Sequence, residues 1–94
     1  MSEKDIEQHL VKRVKKDLGG RAYKFISPGN GGVPDRLICL PDGRIAFVEL
    51  KAPSKVSSPL QILQQRRLKE LGFQVWTIDN KDKVDQFIAE YTNR

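Results

Sequence analysis

The chain has little of what several large function classes require. Its 94 residues include one cysteine, Cys39, and one histidine, His9. A single cysteine excludes an intrachain disulfide framework, and with a single histidine it excludes a Cys/His zinc site. No apolar run approaches the length needed to span a bilayer, and the N-terminus is polar and charged, without the apolar segment of a secretory signal. There are no repeats, low-complexity tracts or linkers. The glycine-bearing loop Ser27-Pro28-Gly29-Asn30-Gly31-Gly32-Val33-Pro34 lacks the lysine and ordered glycine spacing of a phosphate-binding P-loop, which excludes an NTPase reading. Aromatic residues are only 7% of the chain, and Trp76 lies among strand residues, so it reads as core or interface rather than a base-stacking platform. What remains is one small domain over residues 1–94, with Cys39 as a buried strand residue and an intracellular, reducing compartment as the best fit.

The net charge of +5 is unevenly placed. Residues 18–69 carry nine Lys/Arg against three acids, while the rest of the chain holds eight basic and nine acidic residues. A polyanion-binding surface requires such a local excess. Two of the three acids in the basic segment are Asp35 and Glu49.

These two acids bracket a hairpin. Arg36-Leu37-Ile38-Cys39-Leu40 and Arg44-Ile45-Ala46-Phe47-Val48 are β-prone runs joined by Pro41-Asp42-Gly43. Proline suits the second position of a type I turn, aspartate the third, and glycine the left-handed residue that follows, which predicts a three-residue loop with a glycine bulge. Leu40 then pairs with Arg44, and Asp35 falls opposite Glu49, with Cβ atoms roughly 5 Å apart on one face. Alternation places Lys51 on that same face and turns Leu50 away. Two carboxylates so close repel unless a cation or proton separates them. A divalent cation resolves the conflict, and hard oxygen ligands favour Mg²⁺ or Mn²⁺. The blander alternative is a solvated cluster in which Lys51 neutralises Glu49.

Around the hairpin the pattern predicts αβββαβα. The first helix runs over about residues 3–18, with Ser2 and Asp5 as a capping box and Gly19-Gly20 as the stop. Its apolar stripe, Leu10, Val11, Val14 and Leu18, puts Glu7 near the middle of the inward face. There Glu7 could serve a metal site directly or through water, or stay wet near the helix end. Arg21 to Ile26 reads as a strand. The loop that follows either lets backbone approach a phosphate or simply connects. A second helix starts at Ser58 and Pro59 and closes at Gly72, with Leu60, Leu63, Leu68 and Leu71 as its core face. Gln61 completes a Ser58-x-x-Gln61 capping box and could also orient a water or a phosphate. Gln74–Ile78 is a strand, and Val84, Phe87, Ile88 and Tyr91 mark a last helix. An antiparallel hairpin followed by a β-α-β crossover predicts a mixed sheet.

The chemistry these residues support is phosphodiester hydrolysis. Asp35, Glu49 and the backbone carbonyl of Leu50 would hold the cation, with Glu7 supporting a second ion or a water. Lys51 would stabilise developing charge from the same strand face. Asn30, Gly32, Arg36, Lys55, Arg66 and Arg67 are candidate DNA contacts, although Arg66 and Arg67 read equally as a solvated helix face.

The arrangement resembles the PD-(D/E)xK nuclease superfamily. Glu7 on the first helix, Gly32-Val33-Pro34-Asp35, Glu49-Leu50-Lys51 and Gln61 after Ser58-Pro59 together resemble the virus-type replication-repair nuclease (VRR-NUC) domain over nearly the whole chain. That resemblance implies a restriction-endonuclease-like αβββαβ core and Glu7, Asp35, Glu49, Lys51 and Gln61 as active-site residues. It further implies a Mg²⁺- or Mn²⁺-dependent, structure-selective endonuclease. Similarity to the stand-alone phage and bacterial members implies a homodimer acting on branched DNA such as Holliday junctions, in the cytoplasm of a bacterial or phage-infected cell. The alternatives are a nuclease of flaps or linear DNA, a non-catalytic nucleic-acid-binding module, and a protein-interaction domain.

Overall fold

The computed structural model describes residues 1–92, so the last two residues of the expected 1–94 domain lie outside the described residues. Helix α1 (Glu3–Leu18) is followed by strands β1 (Arg21–Lys24), β2 (Arg36–Cys39) and β3 (Ile45–Leu50), helix α2 (Pro59–Glu70), strand β4 (Gln74–Ile78) and helix α3 (Lys81–Thr92). The four strands form one sheet in sequence order. β1, β2 and β3 pair antiparallel, and β4 adds parallel to β3 after the α2 crossover. The mixed sheet and element order are those the sequence pattern predicts.

Local chemistry sets the helix ends. Ser2 and Asp5 form a reciprocal capping box at α1, and Ser58 with Gln61 does the same at α2, where Pro59 occupies the first turn. Gly19 closes α1 in the left-handed conformation.

Even-numbered residues of β2, β3 and β4 point to one face, where Ile38, Ala46, Val48, Leu50 and Ile78 pack against Ile6, Leu10, Val14 and Leu18 of α1 and Val84, Phe87, Ile88 and Tyr91 of α3. Trp76 packs against this core, edge-on to Phe87, and its Nε1 donates to the Tyr91 hydroxyl at 3.2 Å. The α1 stripe runs through Ile6 rather than Val11, which is only half-buried. Glu7 therefore flanks the stripe instead of occupying its middle.

α2 contributes nothing to that core and borders the opposite face. Its expected apolar face is the main departure: Leu60 is 50% exposed and Leu71 73%, Leu63 is also exposed, and Leu68 is half-buried. The inward stripe is instead Gln61, Gln64, Gln65 and Leu68, at the same helical spacing. The buried glutamines have partners: Gln64 Nε2 donates to the Gly31 carbonyl at 3.2 Å and Gln65 Nε2 to Ser57 Oγ at 3.1 Å. A polar stripe can face inward when the adjoining loops supply hydrogen bonds. On this second face Phe47 packs between Phe25, tilted to it at 5.4 Å between ring centroids, and Phe73, edge-to-face at 5.5 Å, and Cys39 is half-buried rather than buried.

Candidate active site

The hairpin register is the one the turn predicts. Arg36 pairs with Val48 and Cys39 with Ile45, and Leu40 N donates to the Arg44 carbonyl at 2.8 Å. The turn itself differs in one respect, since Asp42 is left-handed (φ 67°) as well as Gly43 (φ 76°). Aspartate tolerates that conformation, so the register is unaffected.

Asp35 precedes β2 and is held from three sides. Pro34 before it is fully buried. Its backbone carbonyl accepts from Phe25 N at 2.9 Å, and its Oδ2 accepts from Leu50 N at 2.8 Å. The last bond joins the two ends of the hairpin across the site. Glu49, in the middle of the sheet beside Thr77 of β4, is only 1% exposed. One of its oxygens, Oε2, lies 3.2 Å from Lys51 Nζ; the other, Oε1, is buried with no hydrogen-bond partner. Burial first, and then the neighbouring Asp35 carboxylate, push the Glu49 carboxyl up to about 7, against the opposing pull of Lys51.

Lys51 is largely buried, and its ammonium donates to Gln61 Oε1 at 2.7 Å. The same oxygen accepts from Ser58 N at 2.8 Å. Gln61 therefore does two things: it caps α2 and fixes the lysine beside the carboxylates.

Glu7 reaches the site from the other face of the sheet. Its Oε2 pairs with Arg36 Nε at 2.9 Å, and it borders the cavity of about 230 Å³ that also contains Asp35. It does not complete a three-carboxylate cluster; among the described residues no group of three His, Cys, Asp or Glu side chains is placed to hold a metal. Arg36, expected to face DNA, points toward α1, is 13% exposed, and spends its guanidinium on Glu7 and on the Ala22 carbonyl at 2.9 Å. Gly32 is also used internally. With φ +84°, a Cβ there would lie 2.9 Å from the Leu60 carbonyl carbon, so its role is close packing against the start of α2. Asn30 is exposed and donates to Ser27 Oγ at 2.9 Å, while Lys55, Arg66 and Arg67 are exposed. Sequence reasoning passed over Gln64, which ties α2 to the loop leading into Asp35; its visible signal was its place four residues before Leu68 on the glutamine stripe.

A mixed four-stranded sheet flanked by helices, with an acid before β2, an acid and a lysine at the end of β3 and a glutamine on the next helix, defines the PD-(D/E)xK class of nuclease cores. No protein-family model matches the chain. It is 54% identical over 80 residues to "Putative nuclease p44" of Acyrthosiphon pisum secondary endosymbiont phage 1, a match covering 85% of each chain. A solved structure of a "VRR_NUC domain" superposes with a TM-score of 0.87 at 31% identity, covering 95% of this chain and 96% of that one. The chain belongs to the VRR-NUC family.

Proposed function

We propose that this protein is a metal-dependent, structure-selective DNA endonuclease that acts as a homodimer on branched DNA such as Holliday junctions. The observation that carries the reading is Glu49. A buried carboxylate with an unpartnered oxygen, set against a second carboxylate, is costly unless a cation completes it. A binding module without catalysis would gain nothing from that arrangement. The donor set is all oxygen, which fits Mg²⁺ or Mn²⁺ held by Asp35, Glu49 and the Leu50 carbonyl. Such an ion, when bound, supplies Lewis-acid charge at a phosphoryl oxygen and lowers the pKa of an attacking water.

The chain's own residues do the rest. Leu50 N fixes the Asp35 carboxylate. Gln61 removes rotational freedom from Lys51, so its charge meets the negative charge developing on the phosphoryl group without reorganisation. The Arg36–Glu7 pair leaves Glu7 at the rim, where it can orient a water. A two-fold dimer supplies the two cuts that a four-way junction needs, and the exposed Leu60, Leu63 and Leu71 are apolar surface that association would cover.

The test uses labelled linear, flapped, splayed and four-way-junction DNA with Mg²⁺ or Mn²⁺. Paired symmetric nicks on the junction are expected. Lys51→Ala should lower the rate by roughly 100- to 1000-fold, and Asp35→Ala should abolish cutting while leaving DNA binding largely intact. Wild-type rates in the Asp35→Ala protein would refute the site, and equal cleavage of every substrate would refute structure selectivity.

A further inference from the structure

Lys51 is the cation beside Glu49, at 3.2 Å, but a second group of cations, not singled out by the sequence, lies next to the cavity that contains Asp35. Lys4 and Lys12 of α1 and Lys24 at the end of β1 line an open groove of about 340 Å³ together with Gln8, Glu7 and Arg36. This groove adjoins the smaller cavity that contains Asp35, and Glu7 and Lys24 border both. Its one lining acid is Glu7, which Arg36 already neutralises at 2.9 Å. Lys4, Lys12 and Lys24 are exposed and form no ion pair among the described residues.

Glu3, Glu7 and Asp35 line the smaller cavity with Lys24, whereas the groove itself gathers three cations from two elements that form no ion pair among the described residues. Cations on one concave surface set up a positive potential focused toward an anion. A nucleic-acid strand is the anion whose charge repeats along its length, so one phosphate can lie at Asp35 and Glu49 while a neighbour lies among the lysines. We infer that the α1–β1 groove binds a phosphate of the cleaved strand next to the scissile one, with Lys12 and Lys24 as its main contacts. Lys12 reaches it from the helix and Lys24 from the sheet, so the strand is held on both sides of the groove. The Glu7–Arg36 pair forms the wall between the two phosphate positions. This inference rests on the nuclease reading above, and it directs the strand across α1 rather than along α2.

The experiment compares two double variants that lose the same charge. Lys12→Gln/Lys24→Gln empties the groove of two cations. Lys69→Gln/Lys83→Gln removes two lysines from α2 and α3, outside the groove. Binding of labelled four-way-junction DNA is measured in metal-free buffer over a series of salt concentrations, and cleavage kinetics are measured with Mg²⁺. The groove variant should show a plot of log Kobs against log[salt] shallower by about 1 to 2. Its KM should rise about tenfold near 0.1 M salt, with kcat within about twofold of wild type. The control variant should keep the wild-type slope, and Lys12→Arg/Lys24→Arg should restore it. Equal effects of the two double variants, or no rescue by arginine, would overturn the groove while leaving the nuclease reading intact. A wild-type protein that neither binds nor cuts DNA would remove both.

Discussion

Glu49 is the residue on which the chemistry and the stability of this protein meet. Its carboxyl is raised from an ordinary 4.5 to about 7 by burial and by Asp35. Between those values the folded chain holds a proton that the unfolded chain has released, so stability contributed below pH 4.5 is lost as pH rises and is gone above about 7. Glu49→Gln keeps the shape, removes the charge and offers Asp35 a donor. In metal-free buffer at pH 8 it should melt above wild type by several degrees, with little difference at pH 4.5. Added Mg²⁺ should raise the wild-type melting temperature and leave the variant unchanged, while the variant loses cleavage. Thermal unfolding at the two pH values, with and without Mg²⁺, checks this; a pH-independent difference between the proteins would show that Glu49 is not the group under strain. Lys51 offsets part of the cost without removing it, because its ammonium is shared with Gln61.

At the scale of elements, α2 is the clamp. It holds Lys51 through Gln61 and the loop before Asp35 through Gln64, so one helix sets both sides of the site. The loop docks closely enough that Gly32 has no room for a side chain beside the Leu60 backbone. Gly32→Ala meets both a steric conflict and an unfavourable positive φ, and should cost about 1–3 kcal/mol. Because the displaced loop carries Pro34 and Asp35, the cleavage rate should fall as well. Denaturant unfolding alongside a cleavage assay measures both effects, and an unaltered rate in the destabilised variant would mean that the loop does not position Asp35. The glutamine stripe was present in the sequence but silent to a search for apolar periodicity, which sees only burial against hydrocarbon. Leu60, Leu63 and Leu71 carry the stronger periodic signal yet lie exposed, whereas Gln64 and Gln65 face inward and donate to the Gly31 carbonyl and Ser57 Oγ of the adjoining loops.

For the molecule as a whole, the sheet separates two tasks. One face carries the hydrophobic core with α1 and α3; the other carries the carboxylates, Lys51 and α2. The site sits where the two faces meet at the ends of β1, β2 and β3, which lets Glu7 and Lys24 from the core side border a cavity that also holds Asp35. Among the described residues no helix is long and apolar enough to cross a membrane. One site of this kind cuts one strand, so junction resolution requires two copies. Light scattering at assay concentration should give twice the 10.7 kDa mass of the chain. A monomer that still places paired symmetric nicks would disprove the coupling of dimerisation to resolution.

What the sequence determined by itself was local: the two capping boxes, the face of α3, the Leu10, Val14 and Leu18 part of the α1 face, and above all the hairpin register that sets Glu49 and Lys51 on one face with Asp35 at its end. These follow from turn chemistry and from side-chain periods of 2.0 and 3.6, which act over a few residues. Tertiary structure alone decided the rest. Arg36 turned inward to Glu7 because its even position in β2 faces α1, and α2 rotated its glutamines inward because two loops offered hydrogen-bond partners. Lys4 and Lys12 joined Lys24 only when α1 packed against the sheet; along the chain they belong to a segment of near-balanced charge. Periodicity specifies which side of an element is buried, whereas the partner of a polar or charged group depends on what folding brings across from it.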